Sequence, residues 1–91
     1  MTDVVKILIV DDEPAIRQLV RRYAELEDYQ VSEAANGFEA VELCRQDGFN
    51  VVVMDVMMPD MVGFAAIREI RKHCDTPVLI ISDVVTYVVK F

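Results

Sequence analysis

The sequence predicts an α/β fold, an open parallel β-sheet with helices on both faces. Three observations carry that prediction. Short strand-like segments alternate with helical patterns along the whole chain, the order that builds parallel sheets through crossover helices. Two of the segments, Ile7 to Val10 and Val51 to Met54, are continuous apolar runs rich in β-branched residues, as strands buried on both faces are. Both runs end directly in acid, the first in Asp11, Asp12 and Glu13 and the second in Asp55. In an open α/β sheet the binding site lies beyond the carboxyl ends of the central strands, and the acids fall at that edge.

Each element has a local reason. The first strand spans about Lys6 to Val10. Asp12 then stands where a helix N-cap belongs and Pro14 where the first turn belongs. Ile16, Leu19, Val20, Tyr23 and Leu26 follow at helical spacing, with Arg17, Arg21 and Arg22 between them as a solvated face. That helix ends near Glu27 and Asp28. A short strand, Gln30 to Ala34, comes next. Asn36 and Gly37 make a turn and cap a second helix that carries Ala40, Val41, Leu43 and Cys44, with Gly48 closing it. The third strand is Val51 to Met54. Pro59 and Gly63 mark Val56 to Gly63 as a loop. A third helix runs from about Phe64 to His73 with Ile67 and Ile70 inward, Thr76 and Pro77 break it, and Val78 to Ile81 is a fourth buried strand.

Composition bounds the function. The chain has 91 residues, one small domain with little stability margin. It is 54% hydrophobic with a mean hydropathy of +0.30, more apolar side chain than so short a chain hides easily. No apolar stretch approaches the length of a membrane span, and no signal-peptide pattern is present. A net charge of −7 argues against direct nucleic-acid binding. Cys44 and Cys74 both lie in helical contexts and read as buried thiols of a reducing, cytoplasmic compartment. His73 ends a helix, where its charge faces the dipole. The methionines at 54, 57, 58 and 61 are core, loop or packing residues.

Three carboxylates at one sheet edge repel one another and need a cation. An all-oxygen site of this kind suits Mg²⁺ or Ca²⁺. Ser82 ends the fourth strand at the same edge, and Lys90 ends a further β-branched run. Asp, Asp, Asp, a hydroxyl and a lysine at strand ends fit one reaction. The Asp55 carboxylate attacks phosphorus and becomes an acyl phosphate. Mg²⁺ on the Asp11 and Asp12 side neutralises charge. The lysine adds a point charge, and the Ser82 hydroxyl answers the new phosphate.

These segments, Ile7 to Pro14 (ILIVDDEP), Val51 to Gly63 (VVVMDVMMPDMVG), Thr76 to Ser82 (TPVLIIS) and Tyr87 to Phe91 (YVVKF), resemble the receiver domain of two-component response regulators. The resemblance implies a flavodoxin-like fold with sheet order 2-1-3-4-5. It implies Asp55 as phosphoacceptor, Asp11 and Asp12 as the metal-binding pair, and the backbone carbonyl of Met57 as a further Mg²⁺ ligand. It makes Ser82 the switch hydroxyl, Tyr87 the switch aromatic and Lys90 the phosphate-sensing lysine. The donor would be a phosphohistidine on a sensor histidine kinase. The domain would not be an enzyme beyond weak self-phosphorylation and self-dephosphorylation. An aspartyl-phosphate hydrolase would need a general acid or base beside the nucleophile, and Val56 and Met57 follow Asp55 instead.

The likeness fails between Ser82 and Lys90. Joining two parallel strands takes a crossover of a dozen or more residues, and only residues 83–89 intervene. Residues 1–91 thus read as a receiver without its fourth and fifth helices, natural or engineered, with sheet order 2-1-3-4 and a rearranged or exchanged terminal strand. The tail can turn back as an antiparallel hairpin, carrying Lys90 away from the acids. Alternatively, Val78 to Phe91 can run on as one strand and pair with another molecule. No Gly or Asn in the connection and apolar sheet faces stripped of cover favour the second course, and so predict a homodimer. In such a fragment Lys90 also reads as a solvated edge lysine and Tyr87 as a packing residue.

Overall fold

In the computed structural model the described residues are 4–55, 63–72, 75–81 and 86–89, and for Asp55, Gly63, Phe64, Ala66, Ile80, Ile81 and residues 86–89 the description is of backbone alone. Five strands and three helices follow in the order β1 (Lys6–Val10), α1 (Pro14–Leu26), β2 (Gln30–Ala34), α2 (Gly37–Gln46), β3 (Val51–Asp55), α3 (Gly63–Arg71), β4 (Val78–Ile81) and β5 (Thr86–Val89). They form one sheet of order β2-β1-β3-β4-β5. The first four strands are parallel, as expected, and β5 is antiparallel to β4.

Strand alternation divides the core into two layers. Leu8, Val10, Val52, Met54 and Val78 face α2 and α3, where they pack with Ala40, Val41, Cys44, Ile67 and Ile70. Ile7 and Ile9 face α1 and meet Ala24, with Val20, Val31, Val51 and Val53 around them. Both faces of β1 are therefore dry, which is why its sequence is a continuous apolar run. The amino-terminal ends of the strands are tied by polar bonds. Asn50 Oδ1 accepts from the Lys6 N–H at 2.8 Å, the Lys6 ammonium meets Asp47 at 2.5 Å, and the Thr76 hydroxyl donates to the Phe49 carbonyl at 3.0 Å.

Four expectations need correction. First, of the two courses open to the tail the described strands take the hairpin, not the continuous strand: β5 pairs with β4 of its own chain, Ile81 opposite Thr86 and Val78 opposite Val89. Four residues separate the two strands, a length free of the Gly and Asn demand of a two-residue hairpin. Second, the N-cap position of α1 is Glu13, without a side-chain cap bond; the turn leading into it is made by Asp11, whose Oδ1 accepts from the Glu13 N–H at 2.9 Å. Third, α2 ends at Asp47 in extended backbone, so Gly48 supplies no left-handed cap. Among the described residues the single left-handed non-glycine is Asp28, φ 63°, in the turn after α1, a conformation Asp tolerates better than most residues.

The fourth correction concerns α1. Its sheet-facing side is Arg17, Val20, Arg21 and Ala24, all buried or half-buried, whereas Ile16, Leu19, Tyr23 and Leu26 are 40%, 49%, 65% and 74% exposed. The arginines turn inward because Glu33 of β2 waits on that face, directly across from Ile9 in the register. The Asn36 cap of α2 is as expected, its side chain accepting from the Glu39 N–H at 2.9 Å, and Ile67 and Ile70 of α3 are buried.

Candidate functional site

Register decides which acids meet. Val10 pairs with Met54 across β1 and β3, so the residues that follow, Asp11 and Asp55, lie at the same end of neighbouring strands. Strand spacing puts their backbones about 5 Å apart. Asp55 in turn pairs with Ile81 on β4. Ser82, the next residue, and Met57 lie outside the described residues, as does Lys90. Tyr87 sits on β5 opposite Ile80, one step below that edge.

Asp11 is held at several atoms. Its N–H donates to the Ala34 carbonyl at 3.1 Å, extending the β1–β2 ladder by one rung. Its Oδ1 accepts from the Glu13 N–H at 2.9 Å, a local turn that Asp makes readily. Its carbonyl accepts from Arg17 Nη1 at 2.6 Å. Asp12 follows on the exposed side of the turn. Asp11 and Asp12 bring two carboxylates, hard oxygen donors, to this edge, where the backbone of Asp55 ends the neighbouring strand. That donor set fits a divalent cation such as Mg²⁺, which is held by one or two carboxylates and completes its shell with water and substrate phosphate. Among the described residues, the Asp55 side chain not being one of those described, no full three-residue metal cluster is present.

The residues that sequence reasoning missed are Arg17 and Glu33. Arg17 Nε donates to Glu33 Oε1 at 3.0 Å and Arg21 Nε to Glu33 Oε2 at 2.6 Å, while Arg21 also reaches the Val31 carbonyl at 3.2 Å. Burial opposes ionisation of Glu33, but the hydrogen bonds and charges of Arg21 and Arg17 outweigh it and lower its carboxyl below the ordinary 4.5. At the opposite end of the sheet the Lys6 ammonium and the Gly48 N–H lower Asp47. One signal was available: two arginines four apart on a helix, followed by a strand whose alternation puts a lone Glu on the helix-facing side.

The family model of the response regulator receiver domain matches residues 7–90. The transcriptional regulatory protein SrrA of Staphylococcus aureus is 39% identical over 77 residues, which are 85% of this chain and 32% of SrrA. The chain thus spans about a third of the length of that relative. Chemotaxis protein CheY4 of Vibrio cholerae superposes with a TM-score of 0.81 at 36% identity, covering 86% of this chain and 68% of CheY4. The response regulator TrrA of Thermotoga maritima, in a complex with Mg²⁺ and BeF, gives 0.81 at 34% identity over 87% of this chain and 70% of TrrA. In a complex of TrrA with the histidine kinase ThkA the values are 0.83 and 33%, over 92% of this chain and 73% of the other. Among the described residues no helix is long and apolar enough to cross a membrane.

Proposed function

This chain belongs to the response regulator receiver domain family, and from that premise we propose that it is a phosphoacceptor module, taking a phosphoryl group on Asp55 from a sensor histidine kinase in the cytoplasm. The observation that carries the reading is the placement of Asp11 and Asp12 at the end of β1 and of Asp55 at the end of the adjacent parallel β3. Asp11, Asp12, Asp55 and the Met57 carbonyl would hold Mg²⁺, which when bound offsets the charge of donor phosphate and carboxylate. The kinase complex of TrrA and its Mg²⁺ and BeF complex support kinase and metal as partners here.

The chemistry assigned to the protein is small in number of parts. An Asp55 carboxylate oxygen forms the bond to phosphorus, the phosphorus–nitrogen bond of the donor phosphohistidine breaks, and the departing imidazole keeps the electron pair and takes up a proton. The Ser82 hydroxyl is the group we assign to answer the new phosphate. Lys90 and Tyr87 we leave out of the reaction, because β5 runs away from the acid edge. The domain turns over no substrate beyond its own phosphorylation and loss of phosphate, and with a net charge of −7 it makes no direct contact with nucleic acid.

Acetyl phosphate with Mg²⁺, read by intact mass and peptide mapping, tests the proposal. One phosphoryl group on the peptide holding Asp55, absent from Asp55→Asn, is the expected result. An unmodified wild-type chain, or labelling that survives the substitution, overturns it.

A second reading has its own support. The stripe Ile16, Leu19, Tyr23 and Leu26 on α1 is exposed, and such a patch favours self-association. A homodimer formed there would let the chain associate without a working switch. Sedimentation at tens of micromolar, about where weak dimers dissociate, tests it: a monomer there removes this reading.

A further inference from the structure

The acid turn after β1 is gripped from outside. Arg17 sits one turn into α1 with its side chain 16% exposed. Its planar guanidinium makes two bonds at once, Nη1 to the Asp11 carbonyl at 2.6 Å and Nε to Glu33 Oε1 at 3.0 Å. The carbonyl it holds belongs to the peptide between Asp11 and Asp12. That peptide is a rigid plane, so fixing its oxygen also fixes the direction in which Asp12 leaves. The Asp11 N–H and Oδ1 are occupied by Ala34 and Glu13. The arginine thus adds a restraint from outside on the turn that carries both acids.

Arg21 provides a contrast inside the same network. It shares Glu33 and lies 36% exposed, yet its partners are Glu33, Glu25 and the Val31 carbonyl, not the acid turn. Loss of either arginine breaks an ion pair to Glu33. Only loss of Arg17 also removes a bond to the Asp11 carbonyl. The Glu33 carboxylate has a second effect, neutralising a guanidinium that would otherwise stand as bare positive charge close to a cation site.

We propose that Arg17 is a positioning residue for the cation site: by tying the Asp11 carbonyl to Glu33 of β2, it sets the orientation in which Asp11 and Asp12 present their carboxylates. The inference rests on the reading above that these acids bind Mg²⁺. Groups that orient metal ligands from behind are worth about tenfold or more in metal affinity. A lysine at this position cannot replace the fork, since a single ammonium lacks the planar pair of donors that spans both acceptors.

The test compares Arg17→Met, Arg17→Lys and Arg21→Met in the full chain by three readouts: Mg²⁺ titration by calorimetry, urea unfolding, and metal-free amide hydrogen exchange at Asp12 and Glu13. We expect Arg17→Met to weaken Mg²⁺ binding roughly tenfold and to speed exchange of the Glu13 amide. Arg17→Lys should stay close to Arg17→Met in both. Arg21→Met should lose comparable stability in urea with Mg²⁺ affinity within about twofold of wild type and unchanged exchange. Equal Mg²⁺ effects of Arg17→Met and Arg21→Met, or no effect of either, overturn the proposal while leaving the phosphoacceptor reading intact. Should Arg17→Met not fold, the same comparison is made with Arg17→Lys. A wild-type chain that takes up no Mg²⁺ defeats the function proposed above, and the claim that Arg17 holds the turn is then decided by the Glu13 exchange rate alone.

Discussion

Replacing Lys90 by Met should leave phosphorylation of Asp55 nearly untouched, against what likeness to the family implies. Val89 pairs with Val78 and Val78 with Val52, while Asp55 pairs with Ile81. Val89 therefore lies three residues down from Asp55 and two strands across. At about 3.3 Å per residue and 4.8 Å per strand this is roughly 10 Å in each direction, or about 14 Å between Cα atoms. At Val89 the direction of β5 is away from the acid edge. An ammonium kept about 10 Å or more from the phosphate in a water-like dielectric is worth about 0.4 kcal/mol at most, roughly a factor of two, whereas contact at about 4 Å with an effective dielectric of 20 is worth about 4 kcal/mol. The assay is the rate of acetyl-phosphate labelling and the half-life of the phosphoaspartate, in wild type and Lys90→Met. Changes of about twofold or less are expected. A tenfold loss of rate would show that the lysine reaches the phosphate and that the antiparallel placement of β5 is wrong.

Three other perturbations probe the frame around the site. Asn36→Ala removes the side-chain bond to the Glu39 N–H and should cost about 1 kcal/mol, a fall in Tm of about 4–8 °C for a domain of this size, read by circular dichroism. Glu33 is lowered on folding by Arg21 and Arg17 against the cost of burial, so its pairing stabilises the fold fully above its unfolded value and that contribution disappears as pH falls through the lower folded one. The stability gap between wild type and Glu33→Gln should thus hold steady near neutrality and shrink as pH drops below about 4.5. A gap that grows in acid would refute the direction. Ile70 is fully buried and Leu26 mostly exposed; Ile70→Ala should cost about 2–5 kcal/mol and Leu26→Ser no more than about 0.5 kcal/mol, by urea unfolding.

Much of the frame was legible because its signals are local. The apolar runs of β1 and β3 need two dry faces, Asn36 announces α2 through its own cap, and the acids at two strand ends lie together once the strands are parallel neighbours. What was not legible depends on tertiary partners. Helix α1 carries two stripes of helical period, one apolar with Ile16, Leu19 and Tyr23 and one with Arg17, Val20, Arg21 and Ala24. Hydrophobicity selects the first. The ion pairs to Glu33 select the second, because a carboxylate on the inner face of β2 needs its countercharges beside it. The tail depends on tertiary context in the same way. The stretch from Asp83 to Thr86 offers no Gly or Asn for a two-residue hairpin, yet the edge of β4 is paired by β5 of the same chain.

A phosphoacceptor role for Asp55 requires Asp11, Asp12 and Asp55 to share one divalent cation. Paramagnetic Mn²⁺, added in small steps to the ¹⁵N-labelled chain in place of Mg²⁺, broadens amide resonances close to the bound ion. Selective loss of the signals of residues 11, 12 and 55, reversed by excess Mg²⁺, is the predicted result. Broadening that spares residue 55, or that spreads evenly over the acidic surface, would contradict it.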